Sequence, residues 1–194
     1  MNLDPASIAQ LQAHLTAAWH EVEPTAHGDG FSQLMQENHF YNFQLWHEED
    51  IARREDIGFE RIYQAKRAID GFNQKRNNFI EEMDKFLIAT LNPPESGCPK
   101  NSETPGMMID RMSILALKEF HMREETLRSD VAAAHLSKCA EKLSRISLQR
   151  ADLTECLADL IASVRAKTRT FAVYYQFKMY NDPSLNPQLY AAAK

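Results

Sequence analysis

LSKCAEKLSRISLQRADLTECLADLIASV, residues 136–164, sets Leu136, Cys139, Leu143, Ile146, Arg150, Leu153, Leu157, Leu160 and Val164 at alternating steps of three and four. Those steps hold one line of side chains on one side of an α-helix for about four heptads, the pattern of a coiled-coil seam. Arg150 is the polar member of the line, read as a snorkelling side chain or a pin for the helix register. The same stretch lies inside a longer run, Met107 to Asp182, that contains neither glycine nor proline. The whole chain of 194 residues has 6 glycines and 8 prolines, well below the roughly 12% of an average sequence. A barrel, a sandwich or a doubly wound sheet needs tight turns every dozen or so residues, and those turns need Gly or Pro. The chain is therefore expected to be all-α, a single-domain bundle of about five long helices.

Working outward, the few punctuating residues mark where helices begin and end. Asp4 before Pro5 predicts an N-cap and first helical position, followed by Ile8, Leu11, Leu15, Ala18 and Trp19 at helical spacing up to Pro24. A second helix is expected from about Phe31 to Arg54, with Gly58 breaking it from a third over Phe59 to Leu91. The third carries Ile62, Ala65, Ile69, Phe72, Phe79, Met83 and Phe86 on one stripe. Gly71 within it costs about 1 kcal/mol relative to alanine, too little to break so long a stripe. Residues 92–103, with Pro93, Pro94, Gly97 and Pro99, form the one clear linker. Thr104-Pro105 restarts a helix, and Ser129-Asp130 is the expected cap of the fifth. Thr170 to Tyr180 alternates with the period of a strand, but no second strand exists to pair with it. The fifth helix is accordingly expected to continue to about Tyr180, with an irregular docked tail over 181–194.

The net charge is −5 and the basic pairs Arg53-Arg54, Lys66-Arg67 and Lys75-Arg76 sit beside acids, which disfavours nucleic acid or an acidic membrane surface as a partner. Cys98, Cys139 and Cys156 have no C-x-x-C spacing, so reduced thiols and a cytoplasmic location are expected. No membrane-length apolar run and no leader-like N-terminus is seen. Glycine-rich phosphate loops, Glu-x-x-His and H-E-x-x-H are all missing, so no nucleotide cofactor of that kind and no metal is expected.

The chemistry is concentrated on helix faces. Asn38, Asn42, Trp46 and Asp50 repeat every four residues, with His39, Phe43 and His47 on the adjacent row. Lys66, Asp70, Asn73, Asn77, Glu81 and Asp84 form a second polar stripe, on the third helix, with Arg76 close by. Asp110 and His121 share a face of the fourth helix, three turns apart, with Arg111 and Lys118 on its flanks. Unpaired buried polar groups cost about 1 to 3 kcal/mol each, so such faces are either solvated or line a pocket in the bundle. The candidate ligand-binding set is Asn42, Trp46, His47, Asp50, Asn73, Arg76, Asn77, Asp110, Arg111, Lys118 and His121.

Three blocks carry a resemblance: Asn38 to Asp50 (NHFYNFQLWHEED), Glu103 to Lys118 (ETPGMMIDRMSILALK) and Gln176 to Pro187 (QFKMYNDPSLNP). With Ile69-Asp70 and Asn73 to Asn77, they resemble an uncharacterised bacterial domain-of-unknown-function family whose members are often encoded beside glycosyltransferases for lipopolysaccharide or other surface glycans. The resemblance spans about 34 to 190 and implies no catalytic residues. It implies a role in surface-glycan biosynthesis. The Trp46 indole set among amides and acids points to a sugar or sugar phosphate as ligand, or a glycosyltransferase as partner, at the Asn42, Trp46, His47 and Asp50 face. Two other readings stand beside it. One is a small hydrolase or transferase with His47 as acid/base, Asp50 orienting it, and His39 or Asp110 nearby. The other is a structural homodimer paired through the fifth-helix seam.

Overall fold

The computed structural model describes residues 3–192, and the secondary structure in them is helical. Five long helices, α1 (Pro5–Glu21), α2 (Gly30–Ala52), α3 (Phe59–Leu91), α4 (Pro105–Thr126) and α5 (Ala133–Arg165), precede a single 3-10 turn (Met179–Asn181) and a short α6 (Pro187–Ala192). None of the helices in the described residues is long and apolar enough to cross a membrane. Short connections over 53–58 and 127–132 make α2 with α3, and α4 with α5, two antiparallel hairpins. α1 packs along α4, and α4 touches each of the other four long helices. That centrality accounts for its composition: Met108, Ile109, Met112, Ala116 and Leu117 are buried, as are Asp110 and Ser113.

Capping chemistry sets the starts of α1 and α4. Asp4 accepts the Ala6 and Ser7 amides at 3.3 and 3.0 Å, and Pro5 occupies the first turn, where its missing N–H costs nothing. Thr104 accepts the Met107 amide at 3.2 Å before Pro105. α4 has a second cap from outside its own chain segment. Asp84 of α3, itself buried, accepts the Gly106 amide at 2.7 Å, placing a carboxylate against the positive end of the helix. α3 begins after Gly58, whose φ of +80° suits glycine, and runs unbroken through Gly71. The N-cap of α5 is Ala132, two residues after Asp130, whose carboxylate is instead held in a fork by Arg128.

The C-terminal segment departs from expectation. The helix does not reach Tyr180; it stops at Arg165, and Lys167 adopts a left-handed φ of 61° and sends its ammonium back to the Leu91 carbonyl at 3.1 Å and to that of Asn92. The strand-like alternation forms no strand among the described residues, and only its first residue makes a bridge, to the linker. Thr170 bridges in parallel to Lys100, with Asn101 N–H donating to the Thr170 carbonyl at 2.7 Å and Thr170 N–H to the Pro99 carbonyl at 3.0 Å. Phe171 then enters the core, and the rest of the tail runs along α3 through Gln176 N–H to Glu81 and Asn181 to Gln74. The docked tail thus begins near residue 166 rather than 181; residues 193 and 194 lie outside the described residues.

The interior is layered. At one end Ile8, Met35, Met83, Leu87, Ile109, Met112, Leu157, Leu160 and Val164 belong to a large apolar cluster. At the other, Trp19, Phe43 and Leu117 form a smaller one, with Phe40 and Trp46 against it. The α5 seam from Leu153 to Val164 is buried in the first cluster, so pairing two chains through that part of the seam would require opening the core. Arg150 acts as a pin: it donates to Glu119 of α4 at 2.9 Å and to the Ala9 carbonyl of α1, tying three helices. Cys98, Cys139 and Cys156 are free thiols.

Candidate functional site

A belt of buried polar residues separates the two apolar clusters. Asn38 and Asn42 each donate to Asp110 Oδ1 at 2.9 Å, and Asn42 also donates to Ser113 Oγ at 3.0 Å. Ser113 Oγ lies 2.7 Å from His39 Nδ1, His39 Nε2 lies 3.1 Å from Thr16 Oγ1, and Thr16 donates to the Gln12 carbonyl at 2.8 Å. One assignment of protons satisfies the chain: the Asn42 amide to Ser113, the Ser113 hydroxyl to Nδ1, Nε2–H to Thr16, and Thr16 to Gln12. It requires a neutral imidazole. Burial is the main reason that His39 is pushed down to about 3, with the positive charge of Arg150 adding to it. His39, a catalytic candidate by sequence, is therefore a fully enclosed core residue with both ring nitrogens engaged.

His39 and Asp84 make opposite contributions to acid stability. The unfolded chain protonates His39 near 6.5 and the folded one only near 3, so its contribution falls as pH drops between those values. Burial raises Asp84 to about 6, above the 3.8 of an unfolded aspartate, so the folded state takes the proton first and stability rises as pH drops through that interval. Each changes the unfolding free energy by about 1.4 kcal/mol per pH unit, and between pH 6 and 4 they cancel. Asp84→Asn removes one arm. Urea unfolding at pH 6, 5 and 4 should show the variant losing about 1.4 kcal/mol per unit more than wild type; parallel profiles would refute the assignment.

Outside the belt the α2 and α3 stripes meet around open space. A cavity of about 340 Å³ is lined by Asn42, Trp46 and Asp50 of α2, Asn73 and Arg76 of α3, and Ile114 and Leu117 of α4. A second, of about 400 Å³, shares Asn73 and Arg76 as its wall and adds Lys66, Asp70, Asn77, Lys178, Tyr180 and Asn181. Arg76 is the hinge of the arrangement. Its Nε is buried without a hydrogen-bond partner, and its nearest carboxylate oxygen, Asp110 Oδ1, stands 3.7 Å away. Lys66 is neutralised by Asp70 at 2.8 Å. Lys178, brought in by the tail, is held below the usual lysine range by partial burial and then by the charge of Arg76. Two cations thus share one cavity with the amides of Asn73, Asn77 and Asn181.

Not all predicted site residues gather there. Arg111 and Lys118 line a separate cleft of about 570 Å³ between α4 and α5, where Arg111 is paired with Glu103. His47 and His121 turn the other way, toward His20 of α1. Burial, then the neighbouring His20 and His121, keeps His47 below the ordinary histidine value. His121 stacks on Trp46 with ring centroids 4.7 Å apart, covering one face of the indole. Asp50 is exposed on the cavity rim, and among the described residues no hydrogen bond joins it to His47. Sequence reasoning missed His20, Lys178 and Asn181. The last two fall in a quoted block, but their role depends on where the tail docks.

No curated protein and no solved structure matches the chain. A family model described as a protein of unknown function, DUF4254, matches residues 32–173. The matched stretch contains the whole of α2 to α5 except the first two residues of α2, and it ends before the tail that carries Lys178. With most of its length matched in this way, the chain belongs to the DUF4254 family.

Proposed function

We propose that this chain is a cytoplasmic bacterial protein that binds an anionic sugar derivative, of the sugar-phosphate class, in the paired cavities around Arg76, and serves surface-glycan assembly beside a glycosyltransferase. The observation that carries the reading is the meeting of Arg76 and Lys178 on one cavity wall, with Arg76 Nε lacking a hydrogen-bond partner and its ion-pair oxygen, Asp110 Oδ1, 3.7 Å away and already accepting from Asn38 and Asn42. An arginine with free donors is suited to a phosphate, which it can grip through two parallel hydrogen bonds. Asn73, Asn77 and Asn181 provide neutral donors and acceptors for hydroxyl groups. The neighbouring cavity, with Trp46, Leu45, Ile114 and Leu117 on its walls, takes the less polar part of the ligand.

A thermal-shift panel of hexose phosphates and nucleotide-activated sugars, each set against the free hexose, tests this directly. A phosphorylated member at about 100 times its dissociation constant stabilises the fold by about 2.7 kcal/mol, and the free hexose does not. Arg76→Gln and Lys178→Ala should abolish the shift, whereas Arg111→Gln, in the other cleft, should retain it. A shift that survives Arg76→Gln would place the ligand elsewhere. In cells, replacement by the Arg76→Gln chain should reduce surface glycan; intact glycan would remove the proposed role.

A further inference from the structure

His20, His47 and His121 come from three helices and from sequence positions far apart, yet one ring nitrogen of each lies within 4.8 Å of one from both others. The Nε2 atoms of all three are buried, and none has a hydrogen-bond partner. Two of the rings, when neutral, have their tautomer set by what their other nitrogen touches. His20 Nδ1 sits 2.7 Å from the Thr16 carbonyl, which can only accept, so Nδ1 carries a proton and in the neutral ring Nε2 presents the lone pair. His121 Nδ1 sits 2.9 Å from the Glu124 carboxylate, with the same consequence. Aromatic neighbours hold the rings: His20 stacks on Phe120 at 4.2 Å, and His47 meets Phe43 edge-on at 4.5 Å. Convergent lone pairs without donors in a buried space are unfavourable unless something between them accepts electron density.

We infer that His20, His47 and His121 bind a divalent transition-metal ion of the zinc type through their Nε2 atoms. Three imidazoles suit zinc, and a carbonyl or carboxylate behind each ring is the arrangement that orients histidine ligands and raises their basicity. Thr16 and Glu124 hold those places for His20 and His121. Zinc–nitrogen bonds of about 2.0 to 2.1 Å in a tetrahedron put the nitrogens roughly 3.4 Å apart, so the ion draws the cluster in by small side-chain rotations. The fourth position falls to water. The other grouping of this type, Glu125, His135 and Cys139, has its His135 Nε2 already engaged by Glu125 at 3.1 Å and is the weaker candidate.

Equilibrium dialysis of the chelator-treated full chain against Zn(II), followed by elemental analysis, is expected to return one ion per chain, with no retention of Mg(II) at the same concentration. Co(II) should bind competitively and give the visible absorption of a low-coordinate nitrogen site. Separate His20→Ala, His47→Ala and His121→Ala variants should each weaken binding by more than about 100-fold, and Glu124→Ala by about 10-fold, with recovery in Glu124→Gln, which keeps an acceptor for Nδ1–H. Circular dichroism identifies any variant that fails to fold, and for such a position a glutamine replacement takes its place. Arg76→Gln should bind the ion normally, so this inference stands or falls apart from the sugar-phosphate reading. Substoichiometric binding, or an ion kept by the histidine variants and lost in Cys139→Ser, would overturn it.

Discussion

Asp110→Ala is expected to lower the unfolding free energy by about 3 kcal/mol, measured by urea denaturation at neutral pH. Asp110 Oδ1 is the common acceptor of two buried amides, those of Asn38 and Asn42, each at 2.9 Å. Removing it leaves both donors in a site that excludes most water, at about 1 to 3 kcal/mol apiece, and takes away the nearest counter-charge of Arg76. The damage spreads, because Asn42 also supplies the hydrogen bond that starts the Ser113, His39 and Thr16 chain. Asp110→Asn keeps an oxygen acceptor and should cost less than half as much. A double-mutant cycle with Asn38→Ala should give a coupling of at least about 1 kcal/mol. A loss under 1 kcal/mol for Asp110→Ala would mean that the belt is wet and contributes little.

Gly106→Ala carries the second large effect, and its direction opposes simple helix propensity. Alanine is favoured over glycine in a helix interior by about 1 kcal/mol, and Gly71→Ala in α3, where an added Cβ meets nothing within 4 Å, should stabilise by up to that amount. At position 106 the added carbon would lie 2.7 Å from Asp84 Oδ1 and 2.7 Å from the Ile80 carbonyl oxygen. α4 must then move off α3, which strains the packing and lengthens the hydrogen bond from the Gly106 amide to Asp84. A loss of about 3 kcal/mol is expected from the two together. Thermal unfolding of the two alanine variants side by side should move the midpoint up for 71 and down for 106. A rise in both would contradict the close approach of α3 and α4.

These two positions also indicate what could be read before folding. Thr104 and Pro105 marked a helix start by their types alone, but only the neighbouring helix explains why the next residue, Gly106, had to be glycine. The bounds of α3 were legible to the residue because Gly58 and Asn92-Pro93 punctuate a long stripe, and the α5 seam was legible because its heptads meet the core. The tail was not. Its alternation was visible, yet the bridging partner was a single linker residue, Lys100, too short to register as a strand. Of the candidate site, Asn73 was legible as a member of a polar stripe with Arg76 close by, and both line the two cavities beside α2 and the tail. Arg111 and Lys118 were grouped with them by helix position, but α4 is touched on several sides and these two face α5. His20 carried no local signal, since its partners lie 27 and 101 residues away.

The central claim is that Arg76 receives the anionic group of a ligand. The most direct measurement is the side-chain Nε–H resonance of Arg76 in a proton–nitrogen correlation spectrum, assigned by its absence from Arg76→Lys. Titration with the hexose phosphate that gives the largest thermal shift should move this signal saturably, and the free hexose should leave it in place. An unmoved Arg76 signal, while other resonances shift with the same ligand, would contradict the account.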